Sequence, residues 1–227
     1  MQSSSRDTRS NAASSNGQVL GTGLAPTVYV VDDDISVRES LEALIQVWGW
    51  DVRVFASARD FLQAPPLPGP SCLVLDVSLP DLNGLDLQDE LAGKRSDMPI
   101  IFITGYGDVP MTVRAMKAGA AEFLTKPFGE DILLAAIETA LRRSQATMGE
   151  LTALQTLRER RAGLSRRESE VMDLVVRGLL NKQVGGELGI SEITVKAHRG
   201  RVMEKMEAKS LADLVRMSQR LGLDPEN

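Results

Sequence analysis

From Thr27 to about Lys126 the chain alternates short apolar runs with stretches in which apolar residues recur at helical spacing. The runs are Val28 to Val31, Val52 to Phe55, Leu73 to Leu75, Ile100 to Ile103 and Glu122 to Thr125. Several are continuously apolar and β-branched, which suits strands buried on both faces of a parallel sheet. Between them Val37, Leu41, Leu44, Ile45 and Trp48 follow the helical period. Leu85, Leu87 and Leu91 do so less regularly, as do Val113, Met116 and Lys117. Pro65 to Pro70, Asn83-Gly84 and Gly119 punctuate the pattern. Five such strand–helix units predict a doubly wound α/β domain with a parallel sheet, over residues 26–143.

Beyond Phe128 one helical pattern covers Asp131 to Arg143, and a second carries Leu151, Leu154 and Leu157, with Gly149 and Gly163 interrupting or bounding it. Residues 144–163 therefore read as a helical linker. Its apolar stripe suits either pairing with another helix or packing on its own domain. Residues 164–227 are all-helical in pattern. Ser165 and Glu168 form a capping-box signature that opens a helix ending at Gly178. A short segment, Asn181 to Leu188, leads through Gly189-Ile190 to Ser191, which caps a longer helix reaching about Met206. Ser210 caps a last helix through Leu221. This is helix-turn-helix anatomy. Residues 1–25, rich in Ser, Asn and Gly, have little to bury and no apolar secretory core, and read as a disordered tail.

Composition narrows the class. With 227 residues there is room for one or two domains, and 43% hydrophobic with 25% charged residues is a globular balance. The single cysteine, Cys72, excludes an intramolecular disulfide, and no apolar run approaches a membrane-spanning length. A cytoplasmic protein without a membrane partner is expected. The net charge of −5 is unevenly placed: residues 1–160 carry −7 and residues 161–227 carry +2. Only the C-terminal end has a balance compatible with nucleic acid.

In a doubly wound sheet, ligands bind beyond the carboxyl ends of the strands. Asp32, Asp33 and Asp34 follow the first predicted strand, Asp76 the third, Thr104 the fourth and Lys126 the fifth. Each alone has an ordinary explanation: an Asp run can cap a helix, a strand-terminal Asp can form a turn, a buried Thr can simply pack. Their occurrence at the same end of four strands points to chemistry. Converging carboxylates call for a hard cation such as Mg²⁺, and a carboxylate oxygen can attack phosphorus to form an acyl phosphate. A lysine, a hydroxyl and the metal would offset charge on the transferring group.

The longer C-terminal helix carries Lys196, Arg199, Arg201 and Lys205, with His198 among them and one acid, Glu204, between Lys196 and Lys205. Val195, Val202 and Met206 can face the interior. A basic helix is commonly just a solvated surface, but the surrounding helix-turn-helix pattern favours DNA. His198 is the sole histidine, so a His-based metal site or a Ser-His-Asp triad has little support.

The segments Val30-Val31-Asp32-Asp33-Asp34, Leu73-Val74-Leu75-Asp76 with Pro80-Asp81 and Gly84, Phe102-Ile103-Thr104-Gly105 and Phe123-Leu124-Thr125-Lys126-Pro127-Phe128 resemble the receiver domain of two-component response regulators. The region from Leu164 resembles a LuxR-type helix-turn-helix. Together, over residues 26–222, the chain is similar to the FixJ/NarL family, nearest its FixJ-like and StyR-like members. The resemblance implies a flavodoxin-like strand order 2-1-3-4-5 and Asp76 as phosphoacceptor. It implies Mg²⁺ (or Mn²⁺) held by Asp32, Asp33, Asp76 and the Ser78 backbone carbonyl, with Thr104 and Lys126 binding the phosphoryl group and Phe123 as the switch aromatic. Lys126-Pro127 matches a position where the family usually has a cis peptide. At the other end Lys182, Thr194 and Arg201 match phosphate-contact positions and Lys196, Ala197 and Gly200 base-reading ones, with His198, Arg199 and Lys205 on the same DNA-binding segment.

The implied partners are a sensor histidine kinase, promoter double-stranded DNA, a second copy of the chain on phosphorylation, and RNA polymerase, with transcription activated. The receiver would promote only its own phosphorylation and dephosphorylation. Two positions depart from the pattern: Ser78 replaces a larger residue, and Tyr106 stands where FixJ-like sequences often have His. Both border the expected path of attacking water and bear on the lifetime of the phosphoryl group. Two other readings compete. A haloacid-dehalogenase-like phosphatase could use Asp32, but it needs a late acidic pair where Pro127-Phe128-Gly129 stands, and it assigns nothing to Asp76 or to residues 164–227. A phosphorylation-independent receiver-like module usually lacks pocket residues, and here the set is complete.

Overall fold

The computed structural model describes residues 24–223. The expected disordered tail over residues 1–25 lies, except for its last two residues, outside the described residues. Five strands, β1 (Thr27–Val31), β2 (Asp51–Phe55), β3 (Ser71–Asp76), β4 (Ile100–Thr104) and β5 (Glu122–Thr125), form one parallel sheet in the order β2-β1-β3-β4-β5. This is the order the resemblance implied. The inner strands β1, β3 and β4 are buried at every residue, so their sequences are nearly unbroken apolar runs.

Alternate residues of each strand point to opposite faces, and the core divides accordingly. On one face Tyr29, Val31, Leu73, Leu75 and Phe102 pack with residues of α2 (Ala58–Gln63), α3 (Gly84–Ala92) and α4 (Val109–Lys117). On the other, Val28, Val30, Cys72, Val74, Ile101 and Ile103 pack with Leu41 and Ile45 of α1 (Ile35–Val47) and with Leu133, Ile137 and Leu141 of α5 (Glu130–Ala162). Trp48, expected on the buried stripe of α1, is 44% exposed and stacks on Trp50 at 6.1 Å. The helical period through Val113 and Met116 also marks an exposed face, because Ala115 is the residue α4 buries. The sequence pattern gave no sign of α2. Its signal was local: Ser57 accepts a hydrogen bond from the Asp60 N–H as N-cap.

Two compact units part between Met148 and Gly149, inside α5. Gly149 lies within this helix rather than interrupting it, at a cost of about 1 kcal/mol relative to Ala, whereas Gly163 follows its end. The leucine stripe divides: Leu157 is buried in the C-terminal core, and Leu151 is half exposed.

The C-terminal unit continues with α6 (Arg166–Val176), α7 (Asn181–Leu188), α8 (Glu192–Lys205) and α9 (Leu211–Arg220). The Ser165–Glu168 capping box forms in full, and Ser191 and Ser210 cap α8 and α9. The turn from α7 to α8 is tight. Gly189 has φ +64°, the Ile190 N–H donates to the Gly185 carbonyl, and a Cβ on Gly185 would lie 2.7 Å from the Ile190 oxygen. Glycine at 185 is therefore what lets α7 meet that turn.

Candidate functional site

The parallel sheet brings Asp32, Asp76, Thr104 and Lys126 to its carboxyl edge from four different strand ends. Asp32 is fully buried and Asp76 nearly so, while Asp33 is exposed. Carboxylate oxygens of Asp32, Asp33 and Asp76 lie within 4.8 Å of one another. Lys126 Nζ donates to Asp32 Oδ2 at 2.7 Å and to Asp76 Oδ2 at 2.8 Å. The remaining oxygens are also occupied: Asp32 Oδ1 accepts from the Asp34 N–H and Asp76 Oδ1 from the Ser78 N–H, both at 2.9 Å.

Burial pushes the Asp32 carboxyl above the ordinary aspartate range, countered in part by Lys126 and the Asp34 N–H. Burial also works against the Lys126 ammonium, but the two carboxylates more than offset it and hold the lysine above its usual value. The site thus concentrates negative charge that one ammonium ties together. An all-oxygen donor set with several carboxylates is what a hard divalent cation such as Mg²⁺ takes, so the residues present fit that ion.

Thr104 is fully buried, and its Oγ1 accepts from the Tyr106 N–H at 3.2 Å. Phe123 is half-buried beside Phe102, their ring centres 6.0 Å apart. Lys126-Pro127 is cis. Asp34 is the N-cap of α1, accepting from the Ser36 N–H. Ser78 is exposed, and Tyr106 is 88% exposed.

Two glycines matter here. A Cβ on Gly84 would sit 2.7 Å from the Asp76 backbone oxygen, so α3 starts directly against the Asp76 end of β3. A Cβ on Gly107 would meet Thr125, Phe123 and Thr104 at 2.8, 3.1 and 3.4 Å. Gly107 escaped the sequence reading because nothing local distinguishes it from a loop glycine.

In the C-terminal unit α8 buries Val195 and Val202, and its C-cap Met206 is buried with them. Lys182 on α7, and Thr194, Lys196, Ala197, Gly200 and Arg201 on α8, are exposed. Lys196 lies 3.7 Å from Glu192, and Thr194 shares a 2.8 Å hydroxyl contact with Ser191. Arg199 donates to Asn181 Oδ1 at 3.1 Å. His198 is half-buried, with Nδ1 lacking a hydrogen-bond partner among the described residues. Lys205 stands apart. Its Nζ donates to Glu168 at 2.7 Å and to the Gly163 carbonyl at 3.2 Å, tying α8 to the start of α6. Glu168, 3% exposed, is held down at about 2 by the Lys205 ammonium and the Ser165 N–H.

The response regulator receiver domain family matches residues 28–138, and the luxR family of bacterial regulatory proteins matches residues 162–218. Nodulation protein W of Bradyrhizobium diazoefficiens is 54% identical, over 86% of each chain. Response regulator protein TodT of Pseudomonas putida is 45% identical, over 87% of each. The solved structure of response regulator StyR superposes with a TM-score of 0.78 at 46% identity, covering 87% of this chain and all of that one.

Proposed function

The chain belongs to the response regulators that join a receiver domain to a LuxR-type DNA-binding domain, and on that premise we propose that Asp76 is its phosphoacceptor and α8 its DNA-reading helix. The observation that carries the first assignment is the Lys126 ammonium bound to both Asp32 and Asp76 within a cluster of three carboxylates.

In this reading an Asp76 carboxylate oxygen attacks the phosphorus of a phosphohistidine on a sensor histidine kinase. The new O–P bond forms as the P–N bond breaks, and the departing imidazole nitrogen takes up a proton. Asp32, Asp33, Asp76 and the Ser78 carbonyl would hold Mg²⁺ (or Mn²⁺), which when bound offsets charge on the phosphoryl oxygens. Lys126 is already beside Asp76 and pairs with a phosphoryl oxygen once the acid is esterified. Thr104 accepts from Tyr106, which leaves its own hydroxyl hydrogen to donate to the phosphoryl group. Movement of Thr104 then reaches Phe123 through the packing around Gly107. That coupling is a local charge event read out by a two-state element. The receiver promotes its own phosphorylation and hydrolysis, and the chain acts as a regulator rather than a metabolic enzyme.

Phosphorylation favours a dimer whose two α8 helices engage half-sites about one helical turn, or a multiple, apart. The outcome is transcription activation through RNA polymerase. No helix among the described residues is long and apolar enough to cross a membrane, and a cytoplasmic location suits both partners. Wild-type protein incubated with acetyl phosphate and Mg²⁺ acquires acid-labile phosphate, and Asp76→Asn acquires none. Labelling of that variant at the wild-type level overturns the assignment.

A further inference from the structure

The outward face of α8 has a chemistry that its basic residues do not account for. The buried stripe of the helix is Val195, Val202 and Met206. At helical spacing the positions directly opposite are Ile193, Ala197, Gly200 and Glu204, and all four are exposed. Ile193 leaves 80% of its surface to solvent, at the second position of the helix, two residues after the Ser191 cap. Isoleucine is only a middling helix former, so neither packing nor propensity explains it there. Gly200 is equally unexplained: a Cβ at that position would meet nothing within 4 Å. Over its first turns the face is therefore an apolar ridge that drops from a branched side chain through a methyl to bare backbone, and Glu204 stands beyond it near the far end of the helix. Lys196, 3.7 Å from Glu192, flanks it on one side, and Arg201 flanks it on the other.

We infer that this ridge reads the C5-methyl group of thymine, with Ile193 as its specificity-determining contact. The inference rests on the assignment of α8 to the DNA-reading role. Among the base edges in the major groove, thymine alone offers an apolar group, whereas the others are told apart by donors and acceptors. Side chains with neither donor nor acceptor cannot make that second kind of distinction. In helix-turn-helix proteins the N-terminal residues of the reading helix meet the base edges, and Ile193 is in that first turn. Ala197 and Gly200 add almost no height, so the backbone can come close to the groove floor. The flanking Arg201 is left to approach the groove wall, where the phosphates are.

The test uses full-length protein treated with acetyl phosphate, and a duplex carrying the site it enriches from random-sequence DNA. Each thymine of the half-site is replaced in turn by deoxyuridine, which removes the methyl and nothing else. Wild type loses affinity at one defined thymine, by about fourfold per half-site, the factor expected for burying one methyl-sized group. Ile193→Ala binds the thymine and deoxyuridine duplexes equally, and Ile193→Val keeps part of the discrimination. Because Ile193 is exposed, both variants retain the wild-type helix content by circular dichroism. Tolerance of deoxyuridine at every position by wild type overturns the inference, as does equal discrimination by wild type and Ile193→Ala. Failure to enrich any DNA site overturns the DNA-reading role of α8 and this inference together.

Discussion

The two functional regions of this protein are built in opposite ways. In the receiver pocket, Asp32, Asp76, Thr104 and Lys126 come from the ends of β1, β3, β4 and β5, and the Lys126–Asp32 bond closes a separation of 94 residues. Those side chains are largely buried and their charges are mutually dependent. On α8 the assigned residues come from one helix, and most lie open to solvent with few bonds among themselves. A change in the pocket alters the charge state of its neighbours, so effects there are coupled. A change on the outward face of α8 acts close to singly. The first region depends on tertiary convergence, the second on which side of one helix is left uncovered.

One substitution type separates these two kinds of position, and its largest effect is expected where backbone is in the way. Gly84→Ala places a methyl 2.7 Å from the Asp76 carbonyl oxygen, an atom that cannot move aside without distorting the strand end. Urea unfolding should show the receiver transition destabilised by about 2 to 3 kcal/mol, as overpacked sites are. Gly185→Ala, facing the Ile190 oxygen at 2.7 Å, should cost the C-terminal unit a similar amount. A neutral result at Gly185 would mean that the α7–α8 turn yields where the pocket does not, and would sharpen the contrast between the units.

A middle-sized effect is expected in acid. The Glu168 carboxyl titrates at about 2 in the folded chain, below its ordinary value of 4.5. It therefore adds stability that is fully present above about pH 4.5 and is lost as pH falls toward 2. Lys205→Met removes the ammonium that depresses it, so the acid unfolding of the helical unit, followed by far-ultraviolet circular dichroism, should move to higher pH. An unchanged acid midpoint would show that the backbone N–H of Ser165 suffices, and would return Lys205 to the group of free cations on α8.

The smallest effect has the opposite sign. Gly200→Ala meets no atom and removes an interior helix glycine, so the C-terminal unit should gain about 1 kcal/mol in thermal or urea unfolding. A loss there would mean that the open face of α8 is not open, and the contrast with the pocket would fail.

Much of this was legible in the chain. Glu122–Thr125 is a strand with the expected ends, and the cap residues Ser165, Ser191 and Ser210 open the helices they were expected to open. Runs of buried strand and cap chemistry are local properties, and a parallel sheet puts every strand's carboxyl end on one edge. That is why Asp32, Asp76, Thr104 and Lys126 could be grouped before any coordinate was known. Periodicity was a weaker guide on α4, where Val113 and Met116 stand on an exposed face, because a period reports a face and not what covers it.

Apart from α2 and the continuity of α5 through Gly149, the sequence by itself thus determined the order and type of the elements, the parallel sheet and the identity of the acidic cluster, since each follows from neighbouring residues or from the handedness of βα connections. Only the tertiary structure decided which charges are engaged and which surfaces are free. Lys205 and Lys196 lie nine positions apart on one helix, yet Glu168 from another helix occupies the first and leaves the second mostly open. The period of α8 already set Ile193 opposite Val195, Val202 and Met206, but only the packing shows that nothing else covers it. Gly84 and Gly107 become meaningful only beside the strand ends they touch. Exposure, pairing and clearance are set by residues far away in the chain, and no window along the sequence contains them.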